Sequence, residues 1–217
     1  MKALLIIDVQ NDFLPGGALA VPDGESIVPV INKLQPKFNL IVATQDWHPK
    51  DHESFACVQD KKPGDSIMLH GICQTLWSRH CVQGTFGAEF YSGLDITRVS
   101  ETIRKGSDKK IDSYSCFFDN DHKSSTGLEV FLKEKSVTEI YIAGLATDYC
   151  VKHSVLDACL LGFNTFVICD AVRGVNLIPG EVEKAFEEMQ KAGAKRIESS
   201  FIMRSMECGF RNKLNND

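Results

Sequence analysis

No stretch of the 217-residue chain approaches the ~18 continuous apolar residues of a membrane-spanning helix, so no membrane partner is expected. The opening run Met1 to Asp8 is apolar but short, ends on a carboxylate and has no small-residue cleavage site. It reads as a strand rather than a secretory signal, and the chain as a cytoplasmic protein. Basic clusters are missing as well: Lys61-Lys62 and Lys109-Lys110 are isolated pairs, and a net charge of −5 opposes a nucleic-acid partner. The eight cysteines contain no C-x-x-C and no regular zinc spacing. Without a secretion signal, a disulfide framework is not expected either. No serine sits in a G-x-S-x-G elbow, which argues against an ordinary α/β-hydrolase. Repeats and low-complexity linkers are absent, so residues 1–217 read as a single catalytic domain, with 201–217 an oligomer contact or a weakly ordered tail.

What is present is an alternation of apolar runs and helical periodicity. Residues 2–8 form a first strand, apolar on both faces as a central parallel strand requires. Ile27, Val28, Val30, Ile31 and Leu34 space out a helix from Glu25 that Pro36 ends. Further strands are expected at 40–44, 100–105, 138–143, 165–170 and 195–198, and further helices at 126–135, 151–162 and 179–192. Residues 45–95 lack a long periodic element, with a short strand near 66–69 and helical turns near 88–94; irregular stretches of that length are usually functional. The pattern predicts an α/β fold, a three-layer α/β/α sandwich on a mostly parallel central sheet.

Candidate chemistry gathers at the strand ends. Asp8, Asp46, Lys105 and Cys150 each end or follow a strand, and in an open parallel sheet those ends share one edge, where ligands bind. Cys150 stands in Gly144-Leu145-Ala146-Thr147-Asp148-Tyr149-Cys150-Val151, a strand-to-helix turn with Thr147 or Asp148 as N-cap. A helix N-terminus favours thiolate, so a lowered Cys150 pKa is expected, although free cysteine is also a common core filler. A carboxylate at a buried strand end could serve as base, a lysine could hold it, and the backbone N–H groups of Ala146 and Cys150 could form an oxyanion hole. Those parts suit acyl transfer through a thioester. A second constellation is Asp46-Trp47-His48-Pro49-Lys50-Asp51-His52 with His70 and His80 beyond it. Residues two apart on an extended stretch project to one side, so Asp46 and His48 can reach one ion, with a third imidazole from the following loop. Such a set suits Zn, Fe(II) or Mn.

Five motifs in register carry a resemblance. Asp8-Val9-Gln10-Asn11-Asp12-Phe13, Asp46-Trp47-His48-Pro49, Trp77-Ser78-Arg79-His80-Cys81-Val82, Lys105-Gly106 and Gly144 to Val151 occur in the order seen in nicotinamidases, a branch of the isochorismatase-like cysteine hydrolase superfamily. The chain resembles that family over residues 1–200. The resemblance implies hydrolysis of nicotinamide to nicotinate and ammonia, in NAD salvage, with Asp8, Lys105 and Cys150 as catalytic residues. It implies one divalent metal ion on Asp46, His48 and His80, zinc first with iron or manganese as alternatives, and this metal grips the ring nitrogen. Phe13 and Trp77 match the aromatics that sandwich the ring, and Tyr114 a further wall residue. Ala146 and Cys150 match the oxyanion-hole amides, with a cis bond before Ala146. Ser78 and Phe86 stand where the family commonly carries proline, and His52 and His70 match no ligand used throughout it.

Rival readings are a related hydrolase acting on another small amide or on isochorismate, a redox protein pairing Cys150 with Cys116, and a non-catalytic metal-binding protein. The metal set argues against the first. The second needs both thiols on one edge, and the third has to explain why the triad is intact.

Overall fold

The computed structural model describes residues 1–204. The chain runs β1 (Lys2–Ile7), α1 (Ile27–Leu34), β2 (Leu40–Asp46), β3 (Ser66–Leu69), β4 (Ile72–Thr75), β5 (Glu101–Lys105), α2 (Leu128–Glu134), β6 (Glu139–Leu145), α3 (Lys152–Leu160), β7 (Asn164–Arg173), α4 (Glu181–Lys191) and β8 (Lys195–Ile197). Six strands form one sheet in the order β5-β2-β1-β6-β7-β8, and every pairing in it is parallel. The expected α/β/α sandwich is therefore what the chain builds.

Alternation along β1 sorts the two faces. Leu4 and Ile6 join Ile27, Val28, Ile31 and Leu34 of α1 in one apolar cluster. Ala3, Leu5 and Ile7 join Leu128, Leu132, Val155, Ala158, Phe186 and Met189 of α2, α3 and α4 in the other. Both faces of the strand are buried, hence its unbroken apolar run. The chain leaves β1 towards one face and β6 towards the other, although the two strands are neighbours. That reversal of strand order opens a crevice beyond their C-terminal ends, the usual ligand position in open α/β sheets.

Gly144 makes the close approach of β6 to β1 possible. Its φ is +120°, and a Cβ there would come 2.1 Å from the Ile7 carbonyl oxygen. At the sheet edge β5 carries Glu101, Thr102 and Arg104, charged and polar groups that discourage further pairing.

Several expectations shift. The strand near 66–69 pairs with β4 as an antiparallel hairpin across His70-Gly71, both at positive φ, a two-residue turn geometry typical of hairpins. The helical turns expected near 88–94 are replaced by one short turn at Phe86–Ala88; beyond it Phe90 bridges Gln10, and the Tyr91 N–H bonds the Val9 carbonyl. Those contacts with the loop after β1 take the backbone groups a helix would have used. β7 continues past the expected 170 to Arg173, through an irregularity in its register with β6 between Ile142 and Gly144. The tail expected at 201–217 is helical through 204 with Ile202 buried, and the remainder of that expectation lies outside the described residues.

Candidate active site

Asp8, Lys105 and Cys150 come from the ends of three strands and meet in the crevice. Lys105 Nζ lies 2.9 Å from Asp8 Oδ2 and 3.3 Å from Cys150 Sγ, and it also donates to the Ser113 carbonyl at 2.9 Å. All three side chains are buried, Asp8 wholly so. Asp8 takes a positive φ of 48°, which turns it out of the strand. Thr44 of β2 then fixes it: the Asp8 N–H donates to Thr44 Oγ1 at 3.0 Å, and the Thr44 hydroxyl donates to Asp8 Oδ1. Asp8 Oδ2 is paired with the Lys105 ammonium and faces the Cys150 thiol. An acceptor of that kind beside a thiol can take a proton.

Burial pushes the Asp8 carboxyl up, with Asp46 adding to it and Lys105 and Thr44 opposing. Burial also pushes the Cys150 thiol well up, Lys105 opposing while Asp8 and Asp46 add to the rise. The lowered Cys150 pKa expected from the turn alone is thus reversed. A local helix terminus is outweighed by desolvation and two carboxylates that other strands bring in. A buried thiol favoured in its neutral form would need a base to react, and the Asp8 carboxylate stands beside it.

The turn itself differs from a simple capped helix. The Leu145–Ala146 bond is cis, as the resemblance implies, and Thr147–Val151 forms one wide helical turn closed by the Val151 N–H on the Ala146 carbonyl at 3.1 Å. Neither Thr147 nor Asp148 caps it. Asp148 instead accepts the N–H groups of Val175 at 3.0 Å and Asn176 at 2.6 Å.

Asp46, His48 and His80 form a second buried group beside the first. His48 and His80 each direct Nε2 at Asp46 Oδ2, 3.6 Å away in both cases. Their Nδ1 atoms are taken by backbone carbonyls, Gly106 at 2.8 Å for His48 and Ser78 at 2.7 Å for His80. That arrangement fixes both tautomers with the Nε2 lone pairs turned inward, as metal-ligating imidazoles require. Only the backbone of Ser78 is used, so its replacement of proline leaves the His80 anchor intact. Phe86, the other departure, is mostly exposed, and its carbonyl accepts from Asn11. Gly106 must be glycine: its φ is +65°, and a Cβ would lie 2.4 Å from the His48 ring. The His80 loop reaches His48 through backbone pairing, His48 N–H on the Cys81 carbonyl and Gln83 N–H on the His48 carbonyl. Gln10 clamps Asp46, donating to its carbonyl and accepting its N–H, each at 2.8 Å.

Burial alone would raise Asp46, but Lys105, His48 and His80 hold its carboxyl well below the usual range. Burial works against the charged His48, and Asp46 and Asp112 overcome it to raise its pKa. Three inward donors, one of them anionic, fit a small divalent cation.

The cavity at these groups is lined by Phe13, Trp77, Tyr114, Tyr149, Leu19 and Val175 together with Ala146 and Cys150. The three aromatics expected from the sequence are all there. Trp77 Nε1 donates to the Tyr114 hydroxyl at 3.1 Å, and Gln74 of β4 donates to the same hydroxyl at 3.0 Å and to Asp112 at 3.1 Å. Tyr149 meets Trp77 edge-on at 4.7 Å.

Thr44, Gln74, Asp112 and Tyr149 do not stand out in the sequence, and Asp148 stands out there only as a cap. Tyr149 had a signal, since it adjoins Cys150, and so did the His70-Gly71 turn that places Gln74; the others are ordinary residues that only tertiary contact singles out. Of the unassigned histidines, His52 is buried against the His48 ring at 4.4 Å, with Nδ1 on Ser54, while His70 is partly exposed and pairs with Glu53. Cys116 is wholly buried, and that burial pushes its thiol up to about 12.

The sequence pattern of the isochorismatase domain matches residues 2–200. A nicotinamidase of Acinetobacter baylyi is 46% identical over 202 residues, covering 93% of this chain and 94% of that protein. Among solved structures, a nicotinamidase/pyrazinamidase of Acinetobacter baumanii superposes with a TM-score of 0.90 at 46% identity, covering 93% of this chain and 97% of that one. A pyrazinamidase of Pyrococcus horikoshii in complex with zinc gives 0.76 at 38% identity, covering 91% and 98%.

Proposed function

The chain belongs to the isochorismatase family, and from that premise we propose that it hydrolyses nicotinamide to nicotinate and ammonia through a thioester on Cys150, serving NAD salvage. It is an amidohydrolase with a small-molecule substrate and a divalent metal site. The observation that carries the reading is the single contact group of Asp8, Lys105 and Cys150 beside an aromatic-walled cavity.

Phe13 and Trp77 flank the ring, and the carboxamide carbon lies over Cys150 Sγ. Asp8 takes the thiol proton while sulfur forms a bond to that carbon. Charge developing on the carboxamide oxygen is met by the N–H groups of Ala146 and Cys150. Asp8 passes the proton to the departing nitrogen as the C–N bond breaks, leaving ammonia and the thioester. Water then attacks with Asp8 again as base, and nicotinate leaves as the thiol re-forms. Lys105 stays protonated throughout and holds Asp8 in place. Asp46, His48 and His80 would hold a divalent ion, which would supply Lewis acidity at the ring end of the site. Zinc is the ion proposed. A cytoplasmic site of action suits a nucleophile that must remain a thiol.

Ammonia release from nicotinamide by the purified protein, beside Cys150→Ala, tests the reading. Release that depends on Cys150 supports it; turnover of a different amide but not nicotinamide overturns the substrate assignment.

A further inference from the structure

Asp148 is two residues before the nucleophile, buried, and spent on something other than capping its own turn. Its two carboxylate oxygens receive successive backbone N–H groups of the loop after β7, Val175 on Oδ1 and Asn176 on Oδ2. Among the described residues no cationic side chain stands within ion-pair distance of it, so these two amides are what offset its charge. Asn176 takes a positive φ of 55°, the conformation that lets neighbouring N–H groups converge on one anion. Gly174 keeps the approach open: a Cβ there would lie 2.3 Å from Val182 Cγ2 and 3.1 Å from Asp148 Oδ1. The loop is tied at its start by Arg173, whose guanidinium donates to Asp23 at 2.9 Å. Val175, one of the two residues the fork holds, lines the substrate cavity with Leu19 and Cys150.

The geometry points to Asp148 as a positioning residue that sets substrate selectivity: it clamps the loop carrying Val175 so that the cavity keeps a fixed aliphatic wall opposite the turn that carries the nucleophile. The inference rests on the nicotinamide reading for its substrate. A charged fork is the right device, since hydrogen bonds to a carboxylate are roughly twice as strong as neutral ones. Asparagine keeps the shape of Asp148 but replaces one acceptor oxygen with a donor, so one of the two amides loses its partner. The wall then loosens without any change to Cys150, Asp8 or Lys105.

The test compares wild type, Asp148→Asn, Val175→Ala and the double variant in three readouts. In Asp148→Asn, amide hydrogen exchange at Val175 and Asn176 should accelerate by about tenfold or more while β1 and β6 amides keep their protection. KM for nicotinamide should rise about tenfold with kcat within about threefold, and the preference for nicotinamide over 5-methylnicotinamide should relax. The double variant should be no worse than the poorer single, because both act on one wall. Unchanged exchange at Val175 and Asn176 overturns the clamp. So does a fall in kcat with KM and selectivity unmoved, or a double variant in which the two effects add. Wild type that releases no ammonia from nicotinamide would instead defeat the substrate reading, while the exchange readout would still decide on the clamp.

Discussion

Asp46 and Lys105 occupy paired register positions on β2 and β5, and their side chains meet in a buried ion pair. The pair joins the two halves of the site. Asp46 gives Oδ1 to the ammonium and turns Oδ2 towards the two imidazoles, while the same ammonium holds Asp8 and touches Cys150. One lysine therefore balances two buried carboxylates, and burial works against its charge while Asp46, Asp8 and Cys150 raise its pKa well above the usual value.

Removing that lysine should be costly in two ways. Lys105→Met leaves two buried carboxylates without their cation, a change that typically costs about 3–5 kcal/mol. Urea unfolding should show that loss, and kcat for ammonia release should fall by orders of magnitude. A variant as stable as wild type would show that the carboxylates are compensated elsewhere.

Thr44 predicts a subtler effect. Its hydroxyl lowers the Asp8 carboxyl pKa and fixes the rotamer of that side chain, the proposed base. Thr44→Val should therefore push Asp8 further up, shift the acid limb of the kcat/KM profile to higher pH and lower kcat by about ten- to a hundredfold. Thr44→Ser should restore most of the loss. A limb that does not move would separate Asp8 from the rate-determining proton transfer.

His153, on α3 against the cavity residue Tyr114, supplies a pH dependence of its own. Burial, aided by Lys152, lowers its pKa from 6.5 to about 4. Between those values the unfolded chain binds a proton that the folded chain does not, so stability falls as pH drops from about 6.5 to about 4 and levels off below. The loss should be about 2–3 kcal/mol, allowing for the partial exposure of the ring. Urea unfolding across that window, compared with His153→Gln, checks it; identical pH slopes in the two proteins would refute the assignment.

Metal removal should separate binding from fold. Chelation followed by dialysis should abolish nicotinamide turnover and leave the sheet folded, since Lys105, Gln10 and the backbone anchors of both imidazoles persist without an ion. Zinc add-back should restore turnover in wild type but not in His80→Ala. Full activity after complete removal would rule out a role for the ion in gripping the ring.

Much of this was legible in the chain itself. The strands announce themselves because central parallel strands are apolar on both faces, and once they are placed, Asp8, Asp46, Lys105 and Cys150 fall on one edge without any side-chain geometry. The motifs around them carried the rest of the set, including His80 and the aromatics. The direction of the Cys150 pKa is hidden in the sequence because a helix terminus is local and visible, whereas burial, and the charges of Asp8 and Asp46, act on the thiol only once separate strands meet. The bonding partners of Thr44, Gln74 and Asp148 are hidden for a related reason. A threonine in a strand, a glutamine in a hairpin and an aspartate at a turn are each common, and their partners lie 36, 40 and 27 positions away in the chain.

A covalent intermediate on Cys150, formed with Asp8 as base, is what acid quenching during turnover followed by mass spectrometry of the peptide containing Cys150 would capture. With nicotinamide and metal-replete protein, a nicotinoyl mass on Cys150 should accumulate, persist longer in a variant slowed in thioester hydrolysis, and be absent in Cys150→Ala, which should release no ammonia. Steady turnover by Cys150→Ala, with no adduct on any residue of wild type, would contradict it.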